Sequence, residues 1–207
     1  VNGVRAGLAN MDKHIANLQA FGQSVVVCLN RFASDTDEEL EIVEKHCKEL
    51  GIGFALNTAF TDGGKGAENL GRLVVETIEK NPSKPLKLAY YETDSIETKV
   101  NKVAKNIYGA KEVIILSRAK KQLALIKQLG FDKYPVCIAK TQYSFSEDPK
   151  AYGMPKDFEM TIREFVINSG AEMIVAIAGN IMRMPGLPKS PQAERIEVVD
   201  GVIEGLS

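Results

Sequence analysis

The sequence predicts an α/β fold: a mainly parallel sheet with flanking helices, built from βαβ units and followed by a smaller, strand-rich C-terminal α/β region. Short apolar runs alternate with amphipathic segments as far as residue 148, which is typical of parallel strands joined by crossover helices. The run Val25–Leu29 contains no polar residue, which is the pattern of a strand buried on both faces. Beyond Asp148-Pro149 strand-like runs and prolines take over. We therefore predict two domains, 1–148 and 149–207.

The first eighty residues contain three predicted helices and two predicted strands. Apolar residues from Val4 to Leu18 recur every three or four positions, which predicts an amphipathic helix. Thr36 and Glu39 have the spacing of a capping box, so a second helix is expected to begin there. In chain order the predicted elements are a helix over 4–18, a strand over 25–29, a helix over 36–50, a strand over 54–56 and a helix over 70–78.

The following stretch repeats this alternation of helices and strands. Asp94 and Ser117 are predicted to cap two helices, which end before Gly109 and Gly130 because glycine is common just beyond a helix. Asp200-Gly201 lies between two apolar runs and predicts a hairpin turn. Strands are predicted over 113–116, 136–139, 158–167 and 173–177.

Composition excludes several classes of partner. A net charge of −1 over 207 residues gives no electrostatic reason to expect nucleic acid or an anionic membrane as partner. No apolar run approaches the roughly 20 residues that a membrane helix needs, and no signal peptide is visible. The chain begins at Val1 rather than Met, so we expect a fragment of a longer protein.

The three cysteines form no C-x-x-C pair and are odd in number, which favours the reducing cytoplasm over a secreted disulfide framework. Cys28 and Cys137 lie in strand-like runs and are predicted to be small core residues. His46 adjoins Cys47, but neighbours on a helix point about 100° apart, a poor geometry for chelation. We predict no metal site.

Two aromatic residues occupy positions where a sheet of this kind binds ligands. Phe32 and Phe60 each follow a predicted strand, and ligands bind at the carboxyl ends of parallel strands. If the two strands are neighbours, both rings project over the same end of the sheet, where they could sandwich a flat heterocycle. The alternative is that both rings cap the edge of the core, and the pattern alone favours that interpretation.

Three other motifs allow a functional and a structural interpretation. Gly63-Gly64-Lys65-Gly66 precedes a helix and suits either phosphate binding or a turn with close backbone approach, but it lacks Walker A spacing. Asn30–Ala33 resembles the N-K-x-D guanine reader without its aspartate. Lys140 follows a predicted strand and could contact an anion such as a ligand carboxylate, or it is simply solvated.

Taken together, several segments resemble one enzyme family. The chain is similar to the C-terminal part of formate–tetrahydrofolate ligase, also called formyltetrahydrofolate synthetase. The segments that carry the resemblance occur in family order: Asn10–Asn17, Phe21-Gly22, Val25–Val27, Asn30–Phe32, Asp35-Thr36, Gly63–Ala67, Ile107–Ala110, Ala139–Ser144 and Met184–Pro188.

The resemblance implies an ATP-driven joining of formate to tetrahydrofolate through formyl phosphate. It implies that Phe32 and Phe60 stack on the folate, with Phe60 standing where the family's tryptophan is expected, and that Leu56 lines the pocket. The family's ATP loop and the arginine expected to hold formyl phosphate belong to an N-terminal region outside this chain, where ATP and magnesium would mainly bind. The family is tetrameric, so a homo-oligomer in the cytoplasm is expected.

Three hypotheses follow. The leading one is a folate-binding portion of the ligase that is inactive in isolation and whose catalytic residues are unknown. The second is a structural or oligomerisation module of the same enzyme that binds no ligand by itself. The third, a Rossmann-like nucleotide-binding domain, rests on the glycine-rich turn alone.

Overall fold

The computed structural model describes residues 1–181 and 189–205, and within them the chain is α/β, as predicted. The strands form a parallel pair, a four-stranded mixed sheet and a C-terminal hairpin. The helices are α1 Asn2–Ala20, α2 Asp37–Glu49, α3 Ala59–Asp62, α4 Glu68–Lys80, α5 Ile96–Val103 and α6 Ser117–Gln128. The strands are β1 Val26–Asn30, β2 Gly53–Asn57, β3 Glu112–Ile115, β4 Val136–Ala139, β5 Glu159–Asn168, β6 Met173–Ala178, β7 Glu197–Val199 and β8 Val202–Glu204.

Strands β1 and β2 are parallel, and their register runs from Val26 opposite Gly53 to Asn30 opposite Asn57. Helix α4 packs so closely on β2 that a Cβ added at Gly53 would lie 3.2 Å from Leu73. The expectation that 25–29 is buried on both faces was wrong, because β1 alternates between half-buried and exposed residues. Within the described part of the chain β1 pairs with β2 alone, which leaves it an edge strand.

The larger sheet has the order β3-β5-β6-β4 and carries the main core. β3 runs parallel to β5 and β4 parallel to β6, whereas β5 and β6 are antiparallel. Helices α5 and α6 pack on this sheet and supply Val100 and Ile126 to the core, alongside the strand residues Met160, Ile162 and Ile174. Strands β3 and β4 precede residue 148, whereas β5 and β6 follow it, so this sheet contains strands from both sides of the predicted boundary. The division into domains 1–148 and 149–207 stays a prediction.

Two of the three cysteines depart from the expectation of core positions. Cys47 on α2 is buried, but Cys28 and Cys137 are exposed. β4 is an edge strand whose Val136 and Ile138 point into the core, so Cys137 faces the opposite side. Cys28 lies on the edge strand β1. In both cases the apolar run forms a strand, as predicted, but no described residue covers the face that carries the cysteine.

The helix ends confirm one predicted cap and correct two. Thr36 accepts a hydrogen bond from the Glu39 backbone and the Glu39 side chain bonds back, which completes the capping box. The cap of α5 is Ser95, which accepts from the Thr98 backbone, rather than Asp94. Ser117 is already the first helical residue of α6 and makes no capping bond, because the extended backbone that a cap needs belongs to the residue before it.

Helix α1 connects the two sheets. Asn17 Nδ2 donates to the Ile107 carbonyl at 2.9 Å and Lys13 Nζ to the Asn106 carbonyl at 2.8 Å. On another side Asp12 Oδ1 lies 2.7 Å from Nε2 of His46, on α2. These bonds tie the helices around the β1–β2 pair to the segment that follows α5.

The predicted C-terminal hairpin is confirmed, with β7 antiparallel to β8. Asp200 and Gly201 at its turn have φ angles of 49° and 80°, as a two-residue hairpin of the right twist requires. The segment Met184–Pro188, one of those that carry the family resemblance, lies outside the described residues. Within the described ranges, no helix combines the length and apolar character needed to span a membrane.

Candidate functional site

The two phenylalanines lie at the same end of the parallel pair. β1 and β2 finish side by side at Asn30 and Asn57, and the centroids of the Phe32 and Phe60 rings are 6.4 Å apart with their planes 49° apart. The exposed fractions are 57% for Phe32 and 88% for Phe60. The strands are therefore neighbours, as the aromatic-pair hypothesis required, and neither ring is part of the core.

The backbone that carries Phe32 is held by polar contacts while its ring stays exposed. The Phe32 amide donates to Asp35 Oδ2 at 2.8 Å, and the Asp35 amide donates back to the Phe32 carbonyl at 3.1 Å. The Arg31 amide donates to the Asn57 carbonyl at 2.9 Å, and its guanidinium pairs with Asp37 at 2.8 Å. This turn ties the end of β1 to the start of α2.

The backbone that carries Phe60 is positioned by an asparagine pair that sequence reasoning missed. Asn57 Nδ2 donates to Asn30 Oδ1 at 2.8 Å, and Asn57 Oδ1 accepts from the Ala59 amide at 3.1 Å. One side chain thus joins the two strand ends and holds the first turn of α3, on which Phe60 lies. The available signal was an asparagine at the end of each strand.

The glycine-rich turn packs against the start of the Phe60 segment. Residues Gly63–Ala67 form a 3-10 helix, and the Thr58 amide donates to the Gly66 carbonyl at 3.2 Å. A Cβ at Gly66 would lie 2.5 Å from the Thr58 carbonyl carbon, whereas Gly64 has open space around it. Close backbone approach therefore explains Gly66, and the phosphate interpretation is not needed for it.

The rings touch rather than leave an open slot. A flat ligand ring between two parallel faces needs a separation of roughly 7 Å, twice the usual carbon–carbon contact distance. At 6.4 Å and 49° the present pair is too close and too tilted, so a sandwich requires one ring to turn. Phe60 is the more exposed of the two and has the room to do so. Leu56, half-buried opposite Leu29, lies four residues before it.

Lys140 belongs to a different part of the molecule. Its ammonium donates to the Thr141 carbonyl at 2.9 Å and to the Ser144 carbonyl, and it lies 4.9 Å from the centre of the Tyr108 ring. Burial lowers the pKa of Lys140. It follows β4 in the larger sheet, and no described contact links it to Phe32 or Phe60, so the structure does not join these predicted site residues.

A second lysine that the sequence did not single out is fully buried. Lys99 on α5 donates to the carbonyls of Lys133 and Tyr134 at 2.8 and 3.0 Å. Burial lowers its pKa, with the nearby Lys133 charge acting in the same direction. Both acceptors lie just before β4, so Lys99 holds the entry to that strand. No group of three metal-binding side chains occurs in the described ranges.

Comparison with known proteins identifies the family. The model of the formate–tetrahydrofolate ligase family matches residues 1–207, the whole chain. The chain belongs to the formate–tetrahydrofolate ligase family. This confirms the resemblance seen in the sequence segments.

Curated formate–tetrahydrofolate ligases align with the chain from end to end. The protein of Bacteroides thetaiotaomicron is 59% identical over 207 residues and that of Parabacteroides distasonis 58%. The ligase of Staphylococcus carnosus is 48% identical over 207 residues. In each case the alignment covers 100% of this chain but 37% of the relative, so the chain spans little more than a third of the length of these ligases.

Proposed function

We propose that the chain is the C-terminal, folate-binding part of an ATP-dependent ligase that joins formate to tetrahydrofolate and gives 10-formyltetrahydrofolate in one-carbon metabolism. Family membership over residues 1–207 supports the reaction. The observation that supports the folate role is the exposed pair of Phe32 and Phe60 above the ends of two parallel strands. A large flat heterocycle is the ligand that such a pair suits best.

In this proposal Phe32 and Phe60 stack on the pterin or aminobenzoyl ring, and Leu56 lines the same pocket. Each ring–ring contact contributes about 0.5–1.5 kcal/mol beyond the apolar area that it buries. Phenylalanine at 60, where the family resemblance leads us to expect tryptophan, keeps the stacking face but offers less area and no indole N–H. The catalytic contribution is positional, because a held folate amine meets its acyl donor at a high effective concentration.

ATP and magnesium are proposed to bind mainly in the remainder of the enzyme, where they supply the activated formate. The described residues contain no cluster of metal-binding side chains, and the glycine-rich turn lacks Walker A spacing. We therefore expect the isolated chain to make no 10-formyltetrahydrofolate.

The remainder of the enzyme is proposed to cover the β1 side of the small sheet. Cys28 on that edge strand is exposed, and α4 presents Val75 and Ile78 to solvent. A two-stranded sheet is only marginally stable by itself, and an edge strand with free backbone groups readily accepts another strand.

The complete enzyme is proposed to be a cytoplasmic homo-oligomer, a tetramer by the family resemblance.

Calorimetric titration of the 207-residue chain with tetrahydrofolate tests the folate role. We expect binding that Phe32→Ala weakens by about tenfold or more, a loss of roughly 1.4 kcal/mol or more. Tyr152→Ala is the control, since Tyr152 is also an exposed aromatic residue but belongs to neither strand end. Equal folate affinity in wild type and Phe32→Ala would contradict the proposed site.

The same titration separates the rival functions. Binding of ATP or GTP without binding of tetrahydrofolate would favour a nucleotide-binding domain and overturn the proposal. No response to any of the three, with a concentration-dependent oligomer in sedimentation, would favour a structural module. Turnover of formate and ATP by the chain alone would contradict the expected inactivity.

A further inference from the structure

A cavity at one end of strands in the four-stranded sheet has no part in the proposed function. It has a volume of about 830 Å³ and lies where the carboxyl ends of β3, β4 and β6 converge, at Leu116, Thr141 and Gly179. Ligands of α/β sheets characteristically bind at such strand ends. Its charged lining residues are Arg163 and Glu147.

Arg163 reaches this cavity through an irregularity in the sheet. Ile162 pairs with Ala178 but Glu164 pairs with Ile177, so Arg163 is the extra residue of a β-bulge between β5 and β6. Bulges redirect a side chain and are over-represented beside binding sites. The pairing of β3 with β5 also ends at Ile162. Arg163 therefore lies just beyond the end of the β3 pairing and at an interruption of the β6 pairing.

The guanidinium of Arg163 has N–H groups without a hydrogen-bond partner among the described residues. One Nη donates to the Ile181 carbonyl at 2.6 Å, while the buried Nε has no hydrogen-bond partner among the described residues. Arg163 also forms no ion pair in that part of the chain, unlike Arg118, which pairs with Glu164 at 2.9 Å. A guanidinium fork with free donors is the protein group best suited to a carboxylate.

Glu147 lines the same cavity and is fixed there with its charge unpaired. One carboxylate oxygen accepts from the Thr161 amide at 2.7 Å, and no ion pair engages it within the described ranges. A Cβ at Gly179, whose φ is +64°, would lie 3.0 Å from the Glu147 Cβ, so glycine allows this close packing. Arg163 and Glu147 thus share one cavity without pairing with each other.

We propose that this cavity binds a small zwitterion of the amino-acid class, with its carboxylate at Arg163 and its ammonium at Glu147. A ligand with one charge satisfies only one of the two side chains and leaves the other unpaired, whereas a zwitterion satisfies both. The uncharged donors and acceptors of Gln142, Tyr143 and Asn180, which also line the cavity, are available to its remaining polar atoms.

Thermal unfolding of the 207-residue chain with glycine or β-alanine at millimolar concentration tests the proposal. These two probes differ in the spacing of their charges. We expect at least one to raise the melting temperature, while acetate and methylammonium at the same concentration do not. An equal rise with acetate, or no rise with either zwitterion, would overturn it.

Two variants assign the charges to residues. Glu147→Gln keeps an acceptor for the Thr161 amide, and Arg163→Lys keeps the positive charge without the fork; each is expected to weaken probe binding about tenfold or more. Arg118→Gln, which alters a charge outside the cavity, and Phe32→Ala at the folate site are expected to bind the probe normally. If Glu147→Gln has the melting temperature of the wild-type chain and binds the probe equally well, the proposed role of Glu147 is overturned. This outcome does not depend on the result at the folate site.

Discussion

Asn57 donates to Asn30 across the ends of two parallel strands at 2.8 Å, and the same side chain accepts from the Ala59 amide at 3.1 Å. The backbone that carries Phe32 follows Asn30, and Phe60 lies one residue beyond Ala59. Asn57 therefore helps to hold both ring-bearing segments, together with the backbone contacts of Arg31 and Asp35. A site of two exposed aromatic residues depends in this way on polar contacts at the strand ends that carry it.

Replacing Asn57 with alanine removes both bonds, so it is expected to lower the free energy of unfolding by about 1–2 kcal/mol and to weaken tetrahydrofolate binding. Asn30→Ala removes the strand-end bond but leaves the α3 contact intact, so it should lower both the free energy of unfolding and the tetrahydrofolate affinity by less. Urea unfolding measures the free energy, and calorimetric titration measures the affinity. Equal effects of the two variants would show that the Ala59 contact does not contribute.

Gly66 and Gly64 form a matched pair for testing close backbone approach. Gly66→Ala would place its Cβ 2.5 Å from the Thr58 carbonyl carbon, so the backbone must move, and we expect a loss of about 1–3 kcal/mol. Gly64→Ala meets nothing within 4 Å and is expected to be neutral or slightly stabilising. The melting temperatures of the two variants test whether only Gly66→Ala destabilises the chain. Similar values would argue against the packing of Gly66 on Thr58.

The buried ammonium of Lys99 is expected to be structurally important. Lys99→Met fills a similar volume but leaves the carbonyls of Lys133 and Tyr134 without their donor, a loss of about 1–3 kcal/mol for unsatisfied buried groups. Lys105→Met, on the exposed side of the following turn, is the control. Chemical denaturation should show destabilisation in Lys99→Met alone. An equal midpoint for both variants would mean that Lys99 is dispensable.

Asp94 should make stability depend on pH in the acid range. The hydrogen bond from Lys102, and then that from the Tyr91 amide, lower its pKa. Because the folded pKa lies below the unfolded value of about 3.9, the stabilisation by Asp94 is present at neutral pH and is lost as pH falls through the folded pKa. Asp94→Asn should therefore be less stable than wild type at pH near 7, with the difference closing in strong acid. A difference that stays constant with pH would exclude this ion pair as its cause.

The thiols should report which strand faces are uncovered. Cys28 and Cys137 are exposed and Cys47 is buried, with burial and then Asp12 raising the pKa of the Cys47 thiol. We expect a thiol reagent to modify Cys28 and Cys137 rapidly in the native chain and Cys47 only on unfolding, as read by mass spectrometry. In the complete ligase Cys28 should be protected. Rapid labelling of Cys28 there would contradict the proposal that the remainder of the enzyme covers β1.

Several signals between residues close in sequence were predicted correctly. The Thr36–Glu39 box, the strand at 136–139 and the Asp200-Gly201 hairpin all involve residues within a few positions of one another. Sequence reasoning failed for Asp94 and Ser117, because an adjacent residue adopted the capping conformation. It also failed for the cover of β1 and β4, since an apolar run reveals a strand but not what lies on each face.

The sequence by itself determined the order of the helices and strands other than the short helix α3, the two aromatic residues beyond β1 and β2, and the family resemblance. Only the tertiary structure decided that those strands are neighbours with rings 6.4 Å apart and that Lys99 is buried. It also decided that Arg163, at a β-bulge, lines a cavity. Helix periodicity and capping depend on side chains a turn apart. Strand order, bulges and buried charges instead depend on contacts between distant segments, and no local pattern records them.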